Sequence, residues 1–277
     1  MKMIFRMICL LFAWSCSSVN HQTLNSNSTS ANKGDEYFQL YHQGQMFYLK
    51  KNYQKALPIF LNFINSTRDD LANRKQLLNA IDQVSRIYLR EYKDPEKVII
   101  FLQGFDHDNR LNDAERDVIS EWISVSRAWK KSGKMSHSIK SGSELYRLGA
   151  KYYKEGMKKL RYPEDDSGNA NFQIAATYLI PYIYNFSNGK NIGSALFMMG
   201  NIHYRSWVDR EYWTDNFYLK EAIRRFPHTA LSRKSYMALK ESIHFAYSGS
   251  SGDYTPPSQL AMLKEMKRLA LPLQSHK

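Results

Sequence analysis

The chain has 277 residues, of which 43% are hydrophobic and 23% are charged. This composition indicates a globular protein with a sizeable core and excludes a wholly disordered chain. The formal net charge of +13 favours anionic partners. The only cysteines are Cys9 and Cys16, so no disulfide can form in a chain that has lost residue 9.

The first residues have the layout of a secretory signal peptide, which we predict over residues 1–15. Two basic residues precede a short apolar run, and small residues follow it. The segment Ala13-Trp14-Ser15-Cys16 resembles the lipobox of bacterial lipoproteins, although Trp14 stands where the family carries a small residue. The resemblance implies cleavage before Cys16 and lipidation of its thiol. An ordinary signal peptide with an incidental cysteine is the alternative.

Residues 16–34 are predicted to be the lipidated cysteine and a disordered tether. Eleven of the eighteen residues from 17 to 34 are Ser, Asn or Thr, and such a composition buries too little apolar surface to fold. Ser17 stands where lipoproteins retained in the inner membrane carry Asp. The resemblance therefore implies an outer-membrane lipoprotein facing the periplasm. Inner-membrane anchoring and a soluble periplasmic protein are the alternatives.

Residues 35–277 are predicted to form one all-α domain. Apolar residues recur there at spacings of three and four, and no segment shows sustained alternation. Several helix starts are marked by capping residues. These are Asp94-Pro95, the capping box from Asn112 to Glu115, and Thr255-Pro256. We expect about eleven or twelve helices joined by short loops.

One segment has the spacing of a known helical repeat. Leu40-x3-Gly44-x2-Phe47-x8-Ala56-x3-Phe60 resembles the tetratricopeptide repeat (TPR), in which small residues let two helices approach closely. We therefore predict a helix pair in which Gly44 and Ala56 lie at the contact.

Degenerate echoes of the pattern follow. Ser126, Gly149 and Gly200 each occupy the small position of a first helix, and Ser138 occupies that of a second helix. Their separations are not multiples of about 34 residues, so the stacking must be irregular. The resemblance implies helical hairpins stacked as an irregular TPR-like α-solenoid with a concave groove for partner segments. The alternative is an irregular helical bundle with Gly and Ala at close contacts.

Family geometry places seven side chains of the first helices on the groove. They are Phe38, Tyr41, Gln45, Tyr48, Phe197, Asn201 and Tyr204. Tyr41 and Phe197 replace the lysine with which some members hold a C-terminal carboxylate, so we do not expect that binding mode. An aromatic and amide-lined groove suits an extended peptide or an amphipathic helix.

Five basic residues form a predicted basic patch: Lys151, Lys154, Lys158, Lys159 and Arg161. Nucleic acid is not accessible to an exported lipoprotein. The expected partners are therefore an anionic lipid or glycan surface, or an acidic protein. A solvated basic surface without a partner is the alternative.

Signals for catalysis, metals and cofactors are weak, and we predict no metal site and no cofactor. In the acidic segment 106–110, Arg110 stands where a calcium loop needs an oxygen ligand. Glu241-Ser242 resembles the start of the lytic transglycosylase signature, but the Gly-Leu-x-Gln segment of that family does not follow. The prediction is a lipid-anchored, non-enzymatic envelope adaptor or scaffold. The alternatives are a peptidoglycan-active enzyme and a purely structural envelope lipoprotein.

Overall fold

A computed structural model describes part of the chain. The described residues are 29–67, 73–162, 165–205, 216–249 and 252–271. The predicted signal peptide and Cys16 lie outside these residues. Within them the chain is almost entirely helical, which confirms the all-α class.

Eleven α-helices lie in the described residues. The first six are α1 Thr29–Leu49, α2 Tyr53–Ser66, α3 Arg74–Arg86, α4 Pro95–Gln103, α5 Asp113–Ser132 and α6 Gly142–Lys159. The other five are α7 Asn169–Asn185, α8 Ile192–Arg205, α9 Phe217–Arg225, α10 Ala230–Tyr247 and α11 Pro257–Ala270.

Shorter elements connect some of these helices. A π-helical segment, Ile87–Glu91, continues α3 directly, and a 3-10 turn, Ser136–Ser138, precedes α6. Two antiparallel strands, β1 Ser248–Gly249 and β2 Gly252–Asp253, lie between α10 and α11. No helix of the described residues is long and apolar enough to cross a membrane.

The first helix begins earlier than predicted. It starts at Thr29, so residues 29–34 are helical although the sequence analysis assigns them to the disordered tether. Extending an existing helix adds a hydrogen bond per residue without a new nucleus. Residues 29–34, whose composition alone would not favour a helix, therefore continue the helix that the aromatic part of α1 forms.

Two of the predicted helix starts are confirmed in detail. The Asp94 carboxylate accepts a hydrogen bond from the Lys97 backbone N–H at 3.0 Å. Asn112 and Glu115 form the predicted capping box, each side chain accepting from the other residue's backbone N–H at 2.9 and 2.8 Å. Both caps satisfy backbone donors that the first helical turn leaves free.

The start of α11 lies one residue later than predicted. Pro256 is the capping residue, with φ −59° and ψ 149°, and Pro257 is the first helical residue. A residue that precedes a proline is sterically kept out of the helical region. Pro256 therefore stays extended, and Thr255 lies outside the helix.

Several helices that follow one another in the chain pack as pairs: α1 with α2, α4 with α5, α6 with α7, and α8 with α9. Helix α10 packs more extensively against α9 than against α11. The central helix is α7, which also contacts α5, α8 and the π-helical segment. Residues 169–179 of α7 are buried without interruption. A helix that is buried on all sides marks the middle of the core.

Glycine allows the close approach of three of these pairs. A β-carbon at Gly44 would lie 2.6 Å from the Phe60 ring, and one at Gly149 would lie 2.7 Å from the Leu179 side chain. A β-carbon at Gly200 would meet α9 at 2.5 Å. These are three of the four small positions that the repeat pattern assigns to first helices.

The echo in α5 differs from the prediction. Gly133, in the left-handed region at φ 63°, ends α5, and Ser138 lies exposed in the 3-10 turn rather than in a second helix. Instead, α5 is the second member of the pair with α4. Both helices of a pair need small residues at their contact. A small residue alone therefore does not show whether its helix is the first or the second of the pair.

The residues after α5 are tied to the core through Tyr178 of α7. The Trp129 indole N–H donates to the Tyr178 hydroxyl at 2.6 Å, and that hydroxyl donates to the Lys134 carbonyl. Burial raises the pKa of Tyr178 to about 12. The hydroxyl therefore keeps the proton that it donates at neutral pH.

Candidate functional site

A cavity of about 280 Å³ lies between α3, α4, α5 and the start of α7. Its walls are mainly apolar: Leu78, Ile81, Leu102, Val118, Ile119 and Trp122. The volume is well above that of a single water and lies near the lower end of ordinary ligand pockets. The cavity is therefore large enough for an apolar group of a ligand or partner.

Two helices supply facing apolar stripes to this cavity. Leu78 and Ile81 lie one turn apart on α3, and Val118 and Trp122 lie one turn apart on α5. Leu78 and Val118 are half-buried, whereas Ile81 and Trp122 are buried. A group that entered between Leu78 and Val118 would exchange water for apolar contacts on both sides.

An ion pair between a buried arginine and a half-buried aspartate forms part of the polar wall. Only 1% of the Arg86 side chain is exposed, and its Nε donates to Asp82 Oδ2 at 2.5 Å, one turn earlier on α3. A buried guanidinium is tolerated only with such partners. The π-helical segment begins directly after Arg86, and such segments are frequent at functional sites.

A second ion pair bridges α3 and α5 at the cavity. The Arg74 guanidinium donates to Glu115 at 2.6 Å, and Glu115 also completes the cap of α5. On the α7 side, Asn169 donates to the Asp166 carboxylate at 3.1 Å. Lys75 is exposed at the same cavity. The apolar opening thus has a charged and largely ion-paired rim.

None of the seven predicted groove residues lines this cavity. Tyr41 and Tyr48 are 8% and 4% exposed and pack against Phe60, so they belong to the core rather than to an open groove. The Tyr41 hydroxyl accepts hydrogen bonds from Gln45 at 2.5 Å and from Asn79, which lines the cavity, at 3.3 Å. Tyr41 therefore does not line the cavity itself but accepts a hydrogen bond from one of its lining side chains.

The remaining predicted groove residues are dispersed over two helices. Phe38 of α1 is 55% exposed. On α8, Asn201 is buried and donates to the Phe197 carbonyl at 2.9 Å, while Phe197 and Tyr204 are half-buried. The Asn201 amide is thus used within its own helix rather than presented to a partner.

The predicted basic patch divides into two groups. Lys159 donates to Glu121 at 3.0 Å and to Asn171 at 2.8 Å, and so joins α6 to α5 and α7. Arg161 donates to the Asp165 carboxylate at 2.9 Å. These two cations stabilise the fold. The other three members, Lys151, Lys154 and Lys158, are exposed along α6.

The predicted catalytic candidate is on the surface. Glu241 is exposed on α10, and the hydroxyl of the buried Ser242 donates to the Leu239 carbonyl at 2.8 Å. A general acid is normally kept in a partly desolvated site, whereas the Glu241 side chain is exposed to solvent.

The acidic segment 106–110 has a structural role. Arg110 donates to Asp108 through Nε at 2.9 Å and Nη2 at 2.6 Å, and to the Ile64 carbonyl at 3.1 Å. The Asp108 carboxylate is thus occupied by a guanidinium that also holds the end of α2. In the part of the chain that the structure describes, no group of three or more His, Cys, Asp or Glu side chains could hold a metal ion.

Comparison with protein-family models, with curated proteins and with solved structures finds no match to this chain. The functional argument therefore rests on the cavity itself. Sequence reasoning missed its residues, although α3 carries one local signal. Asp82 and Arg86 are spaced i, i+4 on a helix whose neighbouring stripe contains Leu77, Ile81 and Val84. An oppositely charged pair next to an apolar stripe indicates that the charged side chains lie at the edge of the hydrophobic core.

Proposed function

We propose that this chain is a lipid-anchored adaptor of a bacterial cell envelope and acts by binding a protein partner. In this proposal Cys16 carries the lipid, and the body faces the periplasm from the outer membrane. The helix pairs form an irregular TPR-like α-solenoid. The partner inserts an apolar side chain into the cavity between α3 and α5.

The observation that carries the proposal is the construction of the cavity. Most of its apolar wall comes from α3 and α5, and the Arg74–Glu115 ion pair bridges these two helices. Leu78 and Val118 are half-buried at this site. A preformed apolar site with a polar rim is the usual anatomy of the centre of a protein interface, and anchors that fill such pockets dominate binding energy.

The solenoid part of the proposal is supported by the small residues at the helix contacts. Gly44, Gly149 and Gly200 each lie in the first helix of a pair and against the second helix. Repeats of this class cannot bury their apolar faces singly and stack to form a continuous core. One contiguous cluster of buried side chains extends from Tyr41 in α1 to Ala222 in α9.

The proposal is tested by placing a charge in the cavity. Val118→Asp would bury a carboxylate against the inserted partner side chain, at a cost of several kcal/mol. We therefore expect copurification of the partner with the membrane-bound chain to fall at least tenfold. The matched control is Met237→Asp, because Met237 is an apolar side chain of α10 that is 62% exposed.

Both variants must first give the helical circular dichroism spectrum of the parent chain. The proposed site is wrong if the folded Val118→Asp chain retains the same partners in the same yield as the Met237→Asp chain. Loss of partners from both variants alike would place the binding surface elsewhere.

A further inference from the structure

Helix α6 has two opposite faces of different character. Its apolar face packs against α7 and includes the buried side chains Leu145, Leu148 and Tyr152. Gly149 and Gly156 lie on the same side and allow the α7 side chains to approach closely. The opposite face of α6 therefore points away from the core.

That outward face carries a row of four cations, Arg147, Lys151, Lys154 and Lys158, which we name the basic ridge. All four side chains are exposed. Their spacing of four, three and four residues keeps them within about 60° of the helix circumference and along roughly 17 Å of its axis. Arg147 is an addition to the predicted patch, whereas Lys159 and Arg161 do not belong to the ridge.

The ridge is only partly neutralised by neighbouring acids. Glu144 is shared between Arg147 at 3.2 Å and Lys134 at 3.0 Å, and Glu155 lies 3.8 Å from Lys151. Within the described residues, Lys154 and Lys158 take part in no ion pair. The helix dipole favours cations only in the last turn, so it does not account for the whole row.

We propose that the basic ridge docks the folded body onto the anionic lipid head groups of a membrane. Each lysine near an anionic surface contributes about 1 kcal/mol, and the row lets several side chains reach the same plane together. The inference uses the proposed lipid anchor only to place the ridge beside a membrane. The ridge is separate from the cavity and does not require partner binding.

The test measures sedimentation of the full chain with vesicles. The Cys16→Ala chain is used so that no covalent lipid contributes. The vesicles contain either phosphatidylcholine alone or phosphatidylcholine with phosphatidylglycerol, at low salt. We expect stronger binding to the anionic vesicles. The double variant Lys154→Gln/Lys158→Gln should lower the partition coefficient for the anionic vesicles about 30-fold, because each lysine contributes about 1 kcal/mol to binding.

The matched control is Lys234→Gln/Lys240→Gln, which removes the same charge from two exposed residues of α10. We expect it to lower the partition coefficient less than threefold. Equal losses in both double variants would show a net-charge effect and overturn the ridge. Unchanged binding of the Lys154→Gln/Lys158→Gln chain to the anionic vesicles would also overturn it. So would a parent chain that binds soluble polyphosphate but does not sediment with the anionic vesicles.

The Val118→Asp chain separates this inference from the proposed function. If the ridge acts independently, that variant binds anionic vesicles as the parent chain does, whatever happens to partner capture. A parallel loss of vesicle binding in the Val118→Asp chain would contradict the independence of the two surfaces.

Discussion

Asp165 closes the connection between α6 and α7 through several hydrogen bonds. Its carboxylate accepts from the backbone N–H and Nε of Arg161, both at 2.9 Å, and from the Ser167 backbone N–H at 3.0 Å. Burial by itself would raise the pKa of this carboxyl. The hydrogen bonds from Arg161 and Ser167 outweigh burial and hold the pKa of Asp165 well below its usual range. The ionised form therefore stabilises the native state.

This pKa predicts a pH dependence for Asp165→Asn. The stability that the carboxylate contributes is fully present above its unfolded-state pKa of about 3.9. It is lost as the pH falls from there toward the depressed folded-state pKa. In urea unfolding, the difference in the free energy of unfolding between the two chains should be constant from pH 7 to pH 5. By pH 3 it should have shrunk by about 1 kcal/mol. A difference of the same size at pH 3 and pH 7 would show that the pKa is not depressed.

At the scale of one element, the contact between α1 and α2 depends on a missing side chain. The Phe60 ring occupies the space that a β-carbon at Gly44 would need. Tyr41 and Tyr48 lie on either side of Gly44 along α1, and both rings contact Phe60. The close approach therefore orders three aromatic side chains around one glycine.

Gly44→Leu should be destabilising because Phe60 has to move. Overpacking of this kind costs about 1–3 kcal/mol, which a urea midpoint at neutral pH measures. Gly34→Leu is the control on the same helix, because a β-carbon there meets nothing within 4 Å. We expect the control to be neutral or slightly stabilising, since leucine favours helix more than glycine does. Equal costs at the two positions would remove Gly44 from the helix contact.

The same helix shows what local patterns can and cannot predict. The caps at Asp94 and Asn112 are local, so the sequence was sufficient to place the helices that they start. Tyr41, Gly44 and Tyr48 are spaced at three and four residues and therefore share one face. Once Gly44 is placed against α2, the two tyrosines must lie there too, and they cannot line a groove. The family analogy placed Gly44 at the helix contact and the two tyrosines on the groove, whereas helical geometry keeps all three on one face.

At the scale of the whole molecule, the cavity arises from residues far apart in the chain. Leu78, Val118 and Asn169 line one cavity although they belong to three different helices, α3, α5 and α7. The pattern predicted that these helices exist and that the body is all-α. Which faces would leave a space between them depends on tertiary packing, which one-dimensional periodicity does not encode.

Cavity and basic ridge give the molecule two separate surfaces. The cavity has apolar walls and an ion-paired rim, whereas the ridge is a row of exposed cations on the outer face of α6. In the proposed adaptor, one surface selects a protein partner by apolar insertion and the other orients the body on the membrane. The two roles differ in salt dependence, because charge interactions at an exposed surface are screened and apolar insertion is not.

The most direct test of partner binding at the cavity is site-specific photocrosslinking in living cells. A photoreactive benzoylphenylalanine replaces Lys75, which is exposed at the cavity, or Lys234, which is exposed on α10. The account predicts one discrete crosslinked species for position 75, its disappearance when Val118→Asp is added, and no such species for position 234. A crosslink at position 75 that persists in the Val118→Asp chain, or the same species at both positions, would contradict it.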